Sequence, residues 1–180
     1  LGWDQFMRQQ NLTLKGRDDV PDGILFANVA DKAKADEFVE EYKRYSFAKA
    51  MVESKRWLRP LDRGERSSDE MTAPSTQMLR YLRRADDITG GELRWGILTN
   101  GNKWRLYFQG ARSVSEQFLE VDLAAIFKVE QHGDGLFALT DEKQRQALRV
   151  FILMFQRDAF IPLSGEVQIF HQQHSLSPEI

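Results

Sequence analysis

Apolar and polar positions alternate along this chain in runs that switch between a period near two and a period near three and a half. "VPDGILFAN" sets Ile24, Leu25 and Phe26 behind Pro21 and reads as a strand with the proline at its start. Before it, "NLTLKGRDD" reads as a short strand and a turn. After it, "DKAKADEFVEEYKR" places Ala35, Phe38, Val39 and Tyr42 on one face, so a helix capped by Asp31 is predicted to about Lys43. "FAKAMVESKRW" returns to strand. "RPLDRGERSSDEMT" is polar and interrupted by Pro60 and Gly64. It is a loop, and one long enough to hint at a function or at motion.

A second helix is predicted from Pro74, with Thr72 as its cap, through "STQMLRYLRRADD" to the pair Gly90-Gly91. "ELRWGILTNGNKWRLYF" is the clearest hairpin, two aromatic and aliphatic runs joined at Asn100-Gly101. "SEQFLEVDL" adds a strand, "LAAIFKV" a short helix and "EQHGDG" a turn. "TDEKQRQALRVFILMFQ" is a helix with Thr140 as cap and an acidic first turn. The tail "HQQHSLSPEI" reads as frayed or linker-like. Strand, helix, strand, helix, hairpin and further helices predict an α/β fold, a mixed β-sheet flanked by helices.

The 180 residues suffice for one domain with a sizeable core, and 42% hydrophobic with 29% charged residues is ordinary for a globular chain. A net charge of −2 means that any surface for nucleic acid has to be locally basic. Two such clusters exist: Lys55, Arg56, Arg59 and Arg63, and Arg80, Arg83 and Arg84. They suit phosphate contacts, and they equally suit a solvated surface. The absence of cysteine excludes disulfides and thiolate zinc sites. The longest apolar run, Val150 to Phe155, is far too short to cross a bilayer, so a cytoplasmic protein without a membrane partner is expected. His171 and His174 are three apart but lack a third ligand, and read as tail. Asp18-Asp19 and Asp86-Asp87 read as turn and helix-end residues. Trp3, Trp95 and Trp104 read as packing, and Trp57 alone borders a strand where a base could stack.

The chemistry of interest lies at Asp22 and at Glu53-Ser54-Lys55. In a strand Glu53 and Lys55 share a face with Met51 and Trp57, while Ser54 faces away. A carboxylate and an ammonium on a partly apolar face need each other, a metal or water. If the two strands pair antiparallel, Asp22 approaches Glu53, and two carboxylates that close repel unless a cation sits between them. Mg²⁺, with Mn²⁺ as a substitute, suits one or two carboxylates and several waters. Such an ion would activate water and neutralise charge on a phosphate, with Lys55 orienting the nucleophile or stabilising the transition state. The bland alternative is a Glu53–Lys55 salt bridge on a solvated face, with Asp22 in a turn.

Pro21-Asp22 followed about thirty residues later by Glu53-Ser54-Lys55 resembles the signature of the PD-(D/E)xK nucleases. Gln77 and Tyr81 in "QMLRY" match the Q-x-x-x-Y that follows the lysine in a subset of them. Together with "AMVESKRWLRPLD" and "LRWGILTNGNKWRLYF", these stretches resemble the amino-terminal region of type IIG restriction–modification polypeptides and related phage-defence methyltransferases. The resemblance implies a restriction-endonuclease-like core over 1–130, its first helix truncated, and a helical connector over 131–180 towards a methyltransferase and specificity region of the same polypeptide. It implies a Mg²⁺-dependent DNA endonuclease acting on double-stranded DNA. Asp22 and Glu53 would hold the metal with the Ser54 backbone carbonyl, Lys55 would serve the water, and Gln77 and Tyr81 would hold the DNA or the lysine. The chain opens at "LGWDQF" without a methionine and shows no methyltransferase N-P-P-[YF] motif, so a domain cut from a longer polypeptide is expected. A nuclease-like module that binds or docks without cutting, and a plain α/β interaction domain, remain as alternatives.

Overall fold

The alternating stretches become strands and the helical ones cover both faces of a single sheet. The computed structural model describes residues 1–16, 18–65, 71–127, 140–164, 166 and 168–173. The strands are β1 (Phe6–Arg8), β2 (Gly23–Leu25), β3 (Ala50–Ser54), β4 (Trp95–Thr99), β5 (Lys103–Phe108) and β6 (Phe118–Asp122). They lie side by side in chain order, antiparallel except for the β3–β4 pair. A parallel neighbour requires a crossover, and helix α3 (Pro74–Thr89) supplies it. The expected mixed sheet flanked by helices is the observed architecture.

Several boundaries differ from expectation. The first strand is Phe6–Arg8, not "NLTLKGRDD", whose Leu12 is buried in a loop closed by its amide on the Asp19 carbonyl at 2.8 Å. The single helix expected to Lys43 is broken into α1 (Val29–Asp36), α2 (Glu41–Arg44) and a 3-10 turn over Tyr45–Phe47. Asn28 caps α1 in place of Asp31, its Oδ1 accepting from the Asp31 amide at 2.9 Å. The break has a cause: the Phe38 carbonyl accepts from Arg44 Nε at 2.9 Å and Nη2 at 2.8 Å, and its ring packs on Phe47. Val39 is thereby left in solvent. Helix α3 has Ala73 at its N-cap with no side-chain bond, so Thr72 does not cap it. Its end is the left-handed Gly90, as the glycine pair predicts.

Each sheet face carries its own core. Met51, Leu98 and Tyr107 meet Met78, Tyr81 and Leu82 of α3 on one side. The approach is close because β4 offers Gly96 there: a Cβ would lie 2.7 Å from Met78 Sδ. On the other side Ala50, Ile97, Leu106 and Val121 meet α4 (Leu123–Phe127), α5 (Asp141–Phe155) and the 3-10 turn Arg157–Phe160. The segment expected as a connector from 131 thus contributes Phe151, Phe155 and Phe160 to the sheet's second core. The predicted turn "EQHGDG" and His174 lie outside the described residues. His171, in α6 (Phe170–Gln173), is not frayed: it is 6% exposed, tilted over the Trp95 ring and edge-on to Phe160. Among the described residues no helix is long and apolar enough to cross a membrane.

Candidate functional site

Strand register decides what Asp22 meets. β2 runs antiparallel to β3 with Gly23 opposite Val52 and Ile24 opposite Met51, so one step further Asp22 stands opposite Glu53. The Asp22 amide donates to Glu53 Oε2 at 3.3 Å. Asp22 lies in the bend before β2, and its Oδ2 accepts from both the amide and the hydroxyl of Ser54, each at 2.7 Å. The Ser54 side chain was expected to face away; it reaches Asp22 because that carboxylate sits outside the regular pleat. Lys55 has left the strand, yet its amide still donates to the Thr99 carbonyl at 2.7 Å, and its Nζ pairs with Glu53 Oε1. Trp57 was expected on the Glu53 face of a longer strand. The chain turns after Lys55, and the indole lies in solvent with its edge against Gly101.

Glu53 is 2% exposed on the apolar face that Met51 shares. Burial pushes its carboxyl above the usual range, Lys55 pulls against that, and the charge of Asp22 adds to the rise. The charged form of Glu53 therefore gains from any positive neighbour. The oxygens that meet here are those of the two carboxylates, and among the described residues no set of three or more His, Asp or Glu side chains converges on a metal position. That donor set fits a hard cation that keeps much of its water, as Mg²⁺ and Mn²⁺ do, and does not fit zinc.

Helix α3 brings the second pair of predicted residues to the same side of the sheet. Gln77 Nε2 donates to Tyr81 Oη at 2.6 Å, the contact that an i, i+4 spacing allows. Tyr81 is buried; burial first, and then the charge of Glu53, raise its hydroxyl pKa. The structure therefore brings Asp22, Glu53, Ser54 and Lys55 into direct contact and sets the Gln77–Tyr81 pair within the field of Glu53.

Asp19, read as a turn residue, is buried and anchors α3. Its Oδ1 is 3.0 Å from Arg80 Nη2, its Oδ2 pairs with Arg84, and Arg84 also donates to Thr13 Oγ1 at 2.8 Å. Arg80 and Arg84, four apart, are neighbours on one helix face and so can meet a single anion. Arg80 and Arg84 are thus committed within the fold, and Arg83 is left exposed beside a groove of about 470 Å³ that none of the site residues lines. In the other cluster Arg59 is buried and Arg56 pairs with Glu65, while Arg63 is exposed. The loop that carries them is tied to the sheet by Arg105, which grips Asp62 at 2.6 and 2.7 Å and Glu120 at 2.6 Å.

No family model, curated protein or solved structure matches this chain.

Proposed function

We propose that this chain is a Mg²⁺-dependent DNA endonuclease domain with a restriction-endonuclease-like core, working in a restriction–modification or phage-defence polypeptide that also carries a methyltransferase. The observation that carries the reading is the antiparallel register that sets Asp22 opposite Glu53, with Lys55 bonded to Glu53. The Gln77–Tyr81 pair on the helix over the same sheet face supports it.

Asp22, Glu53 and the Ser54 carbonyl would hold the ion. When bound, the ion supplies Lewis acidity and neutralises charge gathering on the phosphate. Lys55, its amide fixed on Thr99, presents an ammonium that can orient a water towards the phosphorus or stabilise the expanding anion. Ser54 fixes the Asp22 carboxylate through two bonds, so that donor is positioned in advance. Gln77 is held by Tyr81 with one amide hydrogen and its carbonyl left for DNA or for Lys55.

A second reading has its own observation. Asp22 already accepts from Ser54, and Glu53 from Lys55 and the Asp22 amide. Carboxylates so satisfied need no ion to remain folded, which favours a module that binds or docks on DNA without cutting. Plasmid nicking with Mg²⁺ separates the two. A nuclease nicks the plasmid and loses that activity in Lys55→Ala; undiminished nicking by Lys55→Ala removes the assignment, and DNA binding without nicking favours the silent module.

A further inference from the structure

Just beyond Lys55 the chain makes a turn whose side chains serve no core. Trp57 is 56% exposed and Leu58 is 44% exposed, although both are large and apolar. The backbone of this turn is firmly held: the Leu58 amide donates to the Asn100 carbonyl at 3.3 Å, and the Arg59 amide to the Arg56 carbonyl at 3.1 Å. Leu58 adopts φ 61, a left-handed conformation that side chains other than glycine's rarely accept. Trp57 rests on the hairpin tip, where Gly101 at φ +83 leaves room; a Cβ there would lie 2.6 Å from Trp57 Cε3. A chain that only needed to turn would place glycine at the left-handed position and a polar residue beside it. This turn holds an indole and an isobutyl group out in water instead.

We infer that Trp57 and Leu58 form a wedge that takes an unstacked nucleobase of the DNA whose phosphate meets Asp22, Glu53 and Lys55. The inference rests on the proposed nuclease reading and adds to it a base-contacting element. Three features select a nucleobase as occupant. The wedge begins two residues from Lys55, so its partner is the one that reaches that ammonium. Exposed Arg63, and Arg56 with its partner Glu65, flank it in sequence, and the arginines suit a polyanion. Its apolar surface is a flat ring beside a branched side chain, the shape that stacks on one base face and parts it from the next.

The test uses labelled duplexes, one perfect and one with a single-nucleotide bulge, with all proteins in an Asp22→Asn background so that strands stay uncut. The wedge predicts tighter binding to the bulged duplex, and a loss of that preference in Trp57→Ala by about 5- to 150-fold in affinity, with the perfect duplex much less affected. Trp57→Phe should retain most of the preference. Leu58→Gly relieves the left-handed backbone, so its Tm should hold or rise while the preference falls, which separates a contact from a folding defect. Unchanged bulge affinity in Trp57→Ala and Leu58→Gly overturns the wedge and leaves the nuclease reading standing. A chain with Asp22 intact that binds neither duplex overturns both.

Discussion

The Asp22 carboxylate is bonded twice to Ser54, once by the amide and once by the hydroxyl, both to Oδ2 at 2.7 Å. The pair ties the bend before β2 to the last residue of β3. Ser54→Ala removes the hydroxyl bond and keeps the other. With the hydroxyl at an exposed position, the loss of stability should be about 0.5–1 kcal/mol by urea denaturation.

Lys55 does more for the fold than its exposure alone would suggest. Without its ammonium, Glu53 is a buried carboxylate beside Asp22, and its pKa, already raised by burial, rises further. A carboxyl whose folded pKa is raised binds its proton more tightly folded than unfolded. The stability it contributes is present in acid and is lost as pH rises through the folded pKa. Lys55→Ala should therefore cost little in mildly acidic buffer and about 3 kcal/mol in mildly alkaline buffer. Adding Glu53→Gln should restore most of the loss, as read from denaturation midpoints at the two pH values.

The contact between α3 and the sheet depends on a missing side chain. A Cβ on Gly96 would lie 2.7 Å from Met78 Sδ and 3.0 Å from Leu82 Cδ1, and both partners are fully buried. Gly96→Ala should cost about 1–3 kcal/mol through overpacking. Because α3 carries Gln77 and Tyr81, the same change should shift the tyrosine ring signals in NMR spectra.

His171 sits between Trp95 and Phe160 with Nε2 buried and without a hydrogen-bond partner among the described residues. Burial lowers its pKa to about 4, and a hydrogen bond with the Met154 backbone opposes the shift. The unfolded chain takes up this proton near the ordinary histidine value and the folded chain only near 4. Stability is thus lost as pH falls across that interval, by on the order of 3 kcal/mol. His171→Phe should flatten this part of the Tm–pH curve.

Much of this architecture is legible in local pattern. The Asn100-Gly101 turn, the β4 and β5 runs and α3 up to its glycine end follow from period and turn chemistry, and the Asp22–Glu53 encounter follows once β2 and β3 pair antiparallel. What escaped is set by partners distant in sequence. Strand β1 has three residues, too few to show a period. The helix break at Phe38 depends on Arg44 turning back to its carbonyl. Asp19 acquires its role from arginines more than sixty residues away, and His171 from contact with Trp95, far away in the chain. Ser54 reaches Asp22 because a bend, not a strand, holds the aspartate.

Whether Asp22 and Glu53 share a divalent ion is read from the anomalous difference map of a crystal soaked in Mn²⁺. A peak is expected between the carboxylates of Asp22 and Glu53, within coordinating distance of both and absent from an Asp22→Asn crystal. Saturating Mn²⁺ with no density at that position, or with density only at other surface carboxylates, would contradict it.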